Sequence, residues 1–181
     1  MRWKVKKCRP ATLDDFKLLI QSLNNRSIEY FLIGGYALLV HGSTRSTSDI
    51  DILVPATYIS GVKVREALMD LPGGVARDID PVWFEEGDVI RVGDAFTVDV
   101  MFKTCGETYE TLKKHAELIE FEGIQIRTLT LEGLLKTKQT QRDKDVADRN
   151  ALAWAINSHQ QHAVKNSEEL PLNYMVIAKE Y

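Results

Sequence analysis

The stretch FLIGGYALLVHGSTRSTSDIDILV, residues 31–54, decides the fold of this chain. Tyr30–Ile33 reads as a short buried strand broken by Gly34-Gly35. Tyr36–Val40 then has room for one or two helical turns before His41-Gly42, and Ser43–Ser48 is a hydroxyl-rich loop. Asp49–Val54 reads as a second strand, stopped by Pro55. Residues two apart in a strand share a face, so Asp49 and Asp51 project together while Ile50 and Ile52 point into a core. Two carboxylates on one face repel unless a cation compensates them, and a hard divalent ion such as Mg2+ prefers carboxylate oxygens, water and phosphates. Glycines opening a helix after a strand let backbone N–H groups approach a phosphate with no Cβ in the way, and Arg45 adds a cation in the loop.

Outward from this stretch, the pattern alternates helix and strand. Thr12 caps a helix with Asp14 and Asp15 in its first turn and Phe16, Leu19, Ile20 and Leu23 at helical spacing, ending near Asn24-Asn25. After Pro55, a helix carrying Val64, Leu68 and Leu71 is closed by Pro72-Gly73-Gly74. Val89–Val92 and Phe96–Phe102 predict a hairpin turning at Gly93-Asp94-Ala95. In its second strand Phe96, Val98, Val100 and Phe102 share one face and Thr97, Asp99 and Met101 the other. If that strand lies beside Asp49–Val54, three carboxylates meet on one sheet face, enough to hold two metals about 3.5–4 Å apart. A carboxylate set among apolar residues has no structural purpose unless paired or metal-bound. Further on, a helix is expected over Thr108–Ala116, a hairpin over Leu118–Phe121 and Ile124–Arg127, and two amphipathic helices. One carries Leu131, Leu134 and Leu135, the other spans Val146–Ile156, with a break near Gln141–Asp143.

The 181 residues fit one domain, 1–181, with a core over about residues 12–156 and a C-terminal extension over 157–181. The longest apolar run, Tyr30–Val40, falls well short of the roughly 20 residues of a bilayer span, so no membrane association is expected. The basic start is followed by Asp14-Asp15 rather than by an apolar leader, and Cys8 and Cys105 stand far apart without metal-ligand spacing, which together favour a cytoplasmic protein. Lys and Arg total 23 against 26 Asp and Glu, a net charge of −3, so the chain lacks the global positive field of generic nucleic-acid binders. Arg2, Lys4, Lys6, Lys7 and Arg9 offer only a local patch on a terminal tail. His159 and His162, one helical turn apart, read as solvent-facing, Cys105 has no activating neighbour, and Trp83, Trp154 and Tyr36 read as core or groove-lining aromatics.

The combination of a glycine pair, Asp49-Ile50-Asp51 and a third Asp on a later strand resembles the signature of the DNA polymerase beta-like nucleotidyltransferase superfamily. Gly34-Gly35-Tyr36-Ala37, His41-Gly42, Arg45, Thr47 and the Asp pair are most similar to the small bacterial AbiEii-type branch. So are Leu131-Glu132-Gly133-Leu134-Leu135, Lys138 and the run Arg142-Asp143-Lys144-Asp145-Val146-Ala147-Asp148. The resemblance covers roughly residues 28–152. It departs from the pattern at Gly35, where many members have Ser, and at Asp143, where the branch often has Pro.

The resemblance implies an α/β (α+β) nucleotidyltransferase fold: a mixed central β-sheet flanked by helices, with a helical C-terminal part. It implies transfer of a nucleoside monophosphate from an NTP, ATP being expected, to an acceptor hydroxyl of a small molecule, RNA or protein. Two Mg2+ or Mn2+ ions per site are implied, held by Asp49, Asp51 and Asp99, with Asp99 also helping to deprotonate the acceptor. Gly34, Gly35, Ser43, Thr44 and Arg45 would contact phosphate, and Lys138, Arg142 and Lys144 would neutralise its charge, although Lys144 and Asp148, at i and i+4, equally suit a surface ion pair. The competing expectation is a non-catalytic nucleotide-binding or toxin-antitoxin-type module working through a protein partner. A chain this short leaves little room for its own acceptor domain, so a protein partner or a homodimer mate is expected to supply one.

Overall fold

The structure, a computed structural model, describes residues 8–44, 46–87, 89–93 and 95–168, without the side chains of residues 75, 159 and 162–168. Arg45, the basic tail before Cys8 and the segment beyond residue 168 lie outside these described residues, as do the side chains of His159 and His162.

The chain begins with helix α1 (Leu13–Asn25), whose start is built as expected from Thr12. The Thr12 hydroxyl accepts from the Asp15 N–H, and the Asp15 carboxylate accepts from the Thr12 N–H at 2.8 Å. Arg9 adds a fork onto Asp15, with Nη2 2.9 Å from Oδ1, which holds its carboxyl well below the usual range. Strand β1 (Phe31–Ile33) follows, then helix α2 (Gly34–Val40), strand β2 (Asp49–Leu53) and helix α3 (Tyr58–Leu68). After a 3-10 turn and the short helix α4 (Trp83–Glu86) come strands β3 (Ile90–Gly93) and β4 (Thr97–Met101). These four strands form one mixed sheet in the order β1-β2-β4-β3, with β2 and β4 parallel and the two outer pairings antiparallel.

The alternation in β2 and β4 sets the two faces of this sheet. Ile50, Ile52, Val98 and Val100 are buried with Leu19, Leu23, Val64 and Leu68 of α1 and α3 in one apolar core. Phe96 and Phe102 join it, while Asp49, Asp51, Asp99 and Met101 on the alternate positions stay partly exposed.

Strand β1 is apolar at all three positions and buried at all three, because its outer side is covered as well. Phe31 stacks on Tyr109 with ring centroids 4.5 Å apart. Thr128, fully buried, donates its hydroxyl to the Leu32 carbonyl at 2.8 Å. Tyr109 belongs to α5 (Tyr109–Leu112), and Thr128 to the second strand of the hairpin β7 (Ala116–Phe121) and β8 (Ile124–Leu129); between β4 and α5 lies the ribbon β5 (Lys103–Thr104) and β6 (Glu107–Thr108).

Three sequence expectations change here. The helix expected over Thr108–Ala116 stops at Leu112, passes through a 3-10 turn, and gives way to β7 at Ala116. Pairing with β8 along the whole hairpin, continued by Thr130 N–H to the His115 carbonyl at 2.8 Å, outcompetes the helical pattern. The β5–β6 ribbon was not foreseen; it turns at Cys105 and Gly106, both at positive φ, a two-residue hairpin connection. The last two helices are α6 (Leu131–Lys136) and α7 (Asp143–Glu168). On α7 the apolar pattern over Val146–Ile156 misleads: the buried positions are Asp145, Asp148 and Leu152, spaced three and four apart, while Trp154 is 73% exposed. Among the described residues no helix is long and apolar enough to cross a membrane.

Candidate active site

Parallel pairing of β2 with β4 places Asp51 directly opposite Asp99 and Asp49 opposite Thr97, so the three carboxylates that alternation aimed away from the core come onto one face. They open into a cleft of about 630 Å3. Its walls include Gly34 and Gly35 at the start of α2, Pro10, the loop residues Ser46, Thr47 and Ser48, Arg91 on β3, and Lys138, Arg142 and Lys144 from the α6–α7 region. Of the residues expected from the sequence, eight therefore meet in one place: Asp49, Asp51, Asp99, Gly34, Gly35, Lys138, Arg142 and Lys144.

Ser43 and Thr44 do not line the cleft; the hydroxyls of this loop that do are Ser46, Thr47 and Ser48, joined by Thr104 and Thr137 from other parts of the chain. The reason is local. The turn after α2 ties the Ser43 N–H to the Leu38 carbonyl, whereas just before β2 the Ser48 carbonyl accepts from the Ala11 N–H at 2.9 Å. None of Trp83, Trp154 and Tyr36 lines the cleft either. Tyr36 is buried against Phe16, with centroids 4.8 Å apart, and its hydroxyl donates to the Ala11 carbonyl at 2.8 Å; the two tryptophans are exposed.

The glycine pair is required by close approach. Gly34 has φ of +69°, and a Cβ there would fall 2.0 Å from Asp51 Oδ2. A Cβ on Gly35 would fall 2.5 Å from the Thr47 side chain. Both positions press backbone against the acid cluster and the hydroxyl loop, which leaves no space for a side chain.

The electrostatics of the cluster are unbalanced. Burial, and then the neighbouring Asp99 charge, push the Asp51 carboxyl up to about 6, with Lys138 and Lys144 pulling the other way. Asp99 and Asp49 are compensated by a residue that the sequence reading missed, Arg91. Its Nε and Nη2 each lie 2.8 Å from one oxygen of Asp99, and Nη2 also reaches Asp49 Oδ2 at 3.2 Å. Antiparallel register sets Arg91 opposite Asp99. The signal was present: Ile90 and Val92 flank Arg91 as apolar residues flank Asp99, so alternation aims both away from the core.

A second charged cluster lies behind the first. Lys138, after α6, places its ammonium 3.1 Å from Asp148 Oδ2 and 3.6 Å from Asp145 Oδ1, and all three side chains are at most 9% exposed. Burial tends to raise the Asp145 pKa, but hydrogen bonds from Thr140 and Arg142 and the Lys138 charge outweigh it, so the carboxyl sits below its ordinary value. Arg142 reaches Asp145 Oδ2 through Nη2 at 2.7 Å. Arg149 donates to the carbonyls of Lys138 and Thr140, at 2.6 and 2.5 Å, and so fixes the turn between α6 and α7. The surface pair allowed for Lys144 and Asp148 is replaced by this arrangement: Asp148 is buried on Lys138, and Lys144 lines the cleft.

No known family description matches the chain, and no curated protein matches it in sequence. Solved structures do resemble it. The antibiotic-resistance factor ANT(2'')-Ia superposes with a TM-score of 0.57 at 13% identity, over 85% of this chain and 89% of that one. TM1012 of Thermotoga maritima, assigned as a nucleotidyltransferase, superposes less closely, with a TM-score of 0.47 at 15% identity over 89% of this chain and 96% of that one. An antigenic nucleotidyltransferase-like protein from Paracoccidioides brasiliensis gives 0.45 at 16% identity, over 79% and 77%. At such identities the likeness is one of fold alone, a mixed α/β architecture with a central mixed sheet and flanking helices.

Proposed function

We propose that this chain is a metal-dependent nucleotidyltransferase that moves a nucleoside monophosphate from an NTP, ATP being the expected donor, to the hydroxyl of an acceptor. The observation that carries the reading is the placement of Asp49, Asp51 and Asp99 on one face of two adjacent parallel strands, opening into a cleft that also presents Lys138, Arg142 and Lys144. The superfamily is favoured by the fold, and its AbiEii-type branch by the sequence motifs.

The donor set suits Mg2+ or Mn2+. All three ligands are hard carboxylate oxygens, Asp51 is short of compensating charge, and the missing Cβ of Gly34 leaves Asp51 Oδ2 against bare backbone. Asp49, Asp51 and Asp99 would hold two such ions, which supply charge neutralisation of the triphosphate and polarisation at its α-phosphorus. The chain's own groups do the rest. Lys138, Arg142 and Lys144 neutralise the phosphate oxygens, and Gly34 and Gly35 let the backbone approach them. Asp99 accepts the proton of the acceptor hydroxyl as its oxygen bonds to the α-phosphorus. The bond from that phosphorus to the bridging oxygen breaks, and pyrophosphate leaves with the electron pair. A homodimer mate or protein partner supplies acceptor contacts that a domain of this size lacks, and the cytoplasm is the compartment its cysteines suit.

The test is titration of the protein with ATP and other NTPs in the presence of Mn2+, followed by transfer of label from α-labelled NTP. Asp49→Ala and Asp51→Ala should abolish metal-dependent NTP binding, and Asp99→Asn should lower transfer by about 10²- to 10⁴-fold. Unchanged binding and turnover in all three variants would end this reading.

A further inference from the structure

Arg91 lies where the chemistry of the cleft leaves least room for it. Its fork occupies both oxygens of Asp99 and reaches Asp49 Oδ2 with the same Nη2. A carboxylate oxygen engaged this way is closed to a divalent cation, because the ion must approach to about 2.0–2.6 Å and would meet the guanidinium charge there. As they stand, no three acidic, histidine or cysteine side chains among the described residues are close enough together to hold an ion. Arg91 is also free to leave. Its side chain is 64% exposed, whereas Asp99 is 13% exposed, so swinging outward costs the arginine little burial and uncovers the acid.

We propose that Arg91 is a built-in counter-cation that competes with the divalent metal for Asp99 and Asp49, so that the acid cluster admits metal only as Arg91 releases it. The inference rests on the metal-dependent reading above and adds a residue and a coupling to it. Arg91 lines the same cleft as Lys138, Arg142 and Lys144, so an arriving triphosphate offers the released guanidinium a replacement anion. Metal and nucleotide then favour each other's binding, because each removes an obstacle to the other. Without nucleotide the acids stay neutralised by Arg91 rather than loaded with a stray cation.

The experiment is a Mn2+ titration followed by electron paramagnetic resonance, which reads free ion directly and needs no turnover. Full-length wild type, Arg91→Gln, Arg91→Lys, Asp51→Asn and the double variant Arg91→Gln/Asp99→Asn are compared, with folding checked by thermal unfolding. Arg91→Gln should bind Mn2+ about 10-fold more tightly than wild type without nucleotide. Arg91→Lys, which keeps the charge but loses the fork, should fall between them, and adding Asp99→Asn should cancel the gain. In wild type, a non-hydrolysable NTP should tighten Mn2+ binding more than it does in Arg91→Gln. Equal or weaker Mn2+ affinity in Arg91→Gln, with binding still lost in Asp51→Asn, would leave the metal site standing and overturn the competition. No Mn2+ bound by any variant, with or without nucleotide, would remove the metal reading and this proposal with it.

Discussion

The two charged clusters of this protein use the same residue types and do opposite things. At the cleft, Asp49, Asp51 and Asp99 line an open wall beside the exposed side chain of Arg91, and burial, then the Asp99 charge, hold Asp51 above its ordinary pKa. Behind it, Asp145 and Asp148 are sealed against Lys138, with Arg142 and Thr140 completing the set, and Asp145 is held below its ordinary pKa. An acid buried against its counter-charges is part of the scaffold, whereas one that is partly buried and under-compensated is poised to take a ligand. Lys138 belongs to both settings: its carboxylate partners fix its position, and its place on the cleft wall directs its charge toward Asp51.

That contrast is sharpest under mutation. Lys138→Met should be the most damaging to stability, by about 3–5 kcal/mol, because it removes the buried ammonium that faces both Asp145 and Asp148. Urea denaturation measures it, and a loss below about 1 kcal/mol would mean that water reaches the cluster. Asp51→Asn should act in the opposite direction. Its folded pKa of about 6 lies above the ordinary value of 3.8, so the folded state takes up a proton as pH falls through that window and the unfolded chain does not. Wild-type stability should therefore rise as pH drops from about 6 to 4, and the Asn variant should lack this rise. At pH 7 the variant should be more stable by on the order of 1–3 kcal/mol while losing metal binding. The smallest effect is expected at the boundary between the clusters. Arg142 is 62% exposed although it touches buried Asp145, so Arg142→Ala should change stability by no more than about 1 kcal/mol and should register mainly as weaker NTP binding.

Much of the site was legible because strand alternation is a local rule. Ile50 and Ile52 fix which way Asp49 and Asp51 point, and Val98 and Val100 do the same for Asp99. What alternation could not give was the neighbour: only parallel pairing of two strands separated by α3, a 3-10 turn, α4 and β3 sets Asp51 against Asp99. Arg91 is a different case. Alternation with Ile90 and Val92 gives its direction, but which acid it neutralises follows only from its partner across the ladder. On α7 the apolar pattern does not mark the inward face, because that face is lined by Asp145 and Asp148, whose burial makes sense only once Lys138 arrives from beyond α6.

By itself, then, the sequence determined the run of elements from α1 to α3, the β3–β4 hairpin, the turn chemistry around the glycine pair and the outward aim of Asp49, Asp51 and Asp99, since all of these depend on backbone sterics and side-chain period within a few residues. Tertiary structure alone decided which charges neutralise each other, because Coulomb and desolvation energies depend on distance and burial between segments remote in the chain. The same Asp residue is a structural anchor on Lys138 or an open ligand beside Arg91 according to what the fold brings within about 3 Å of it.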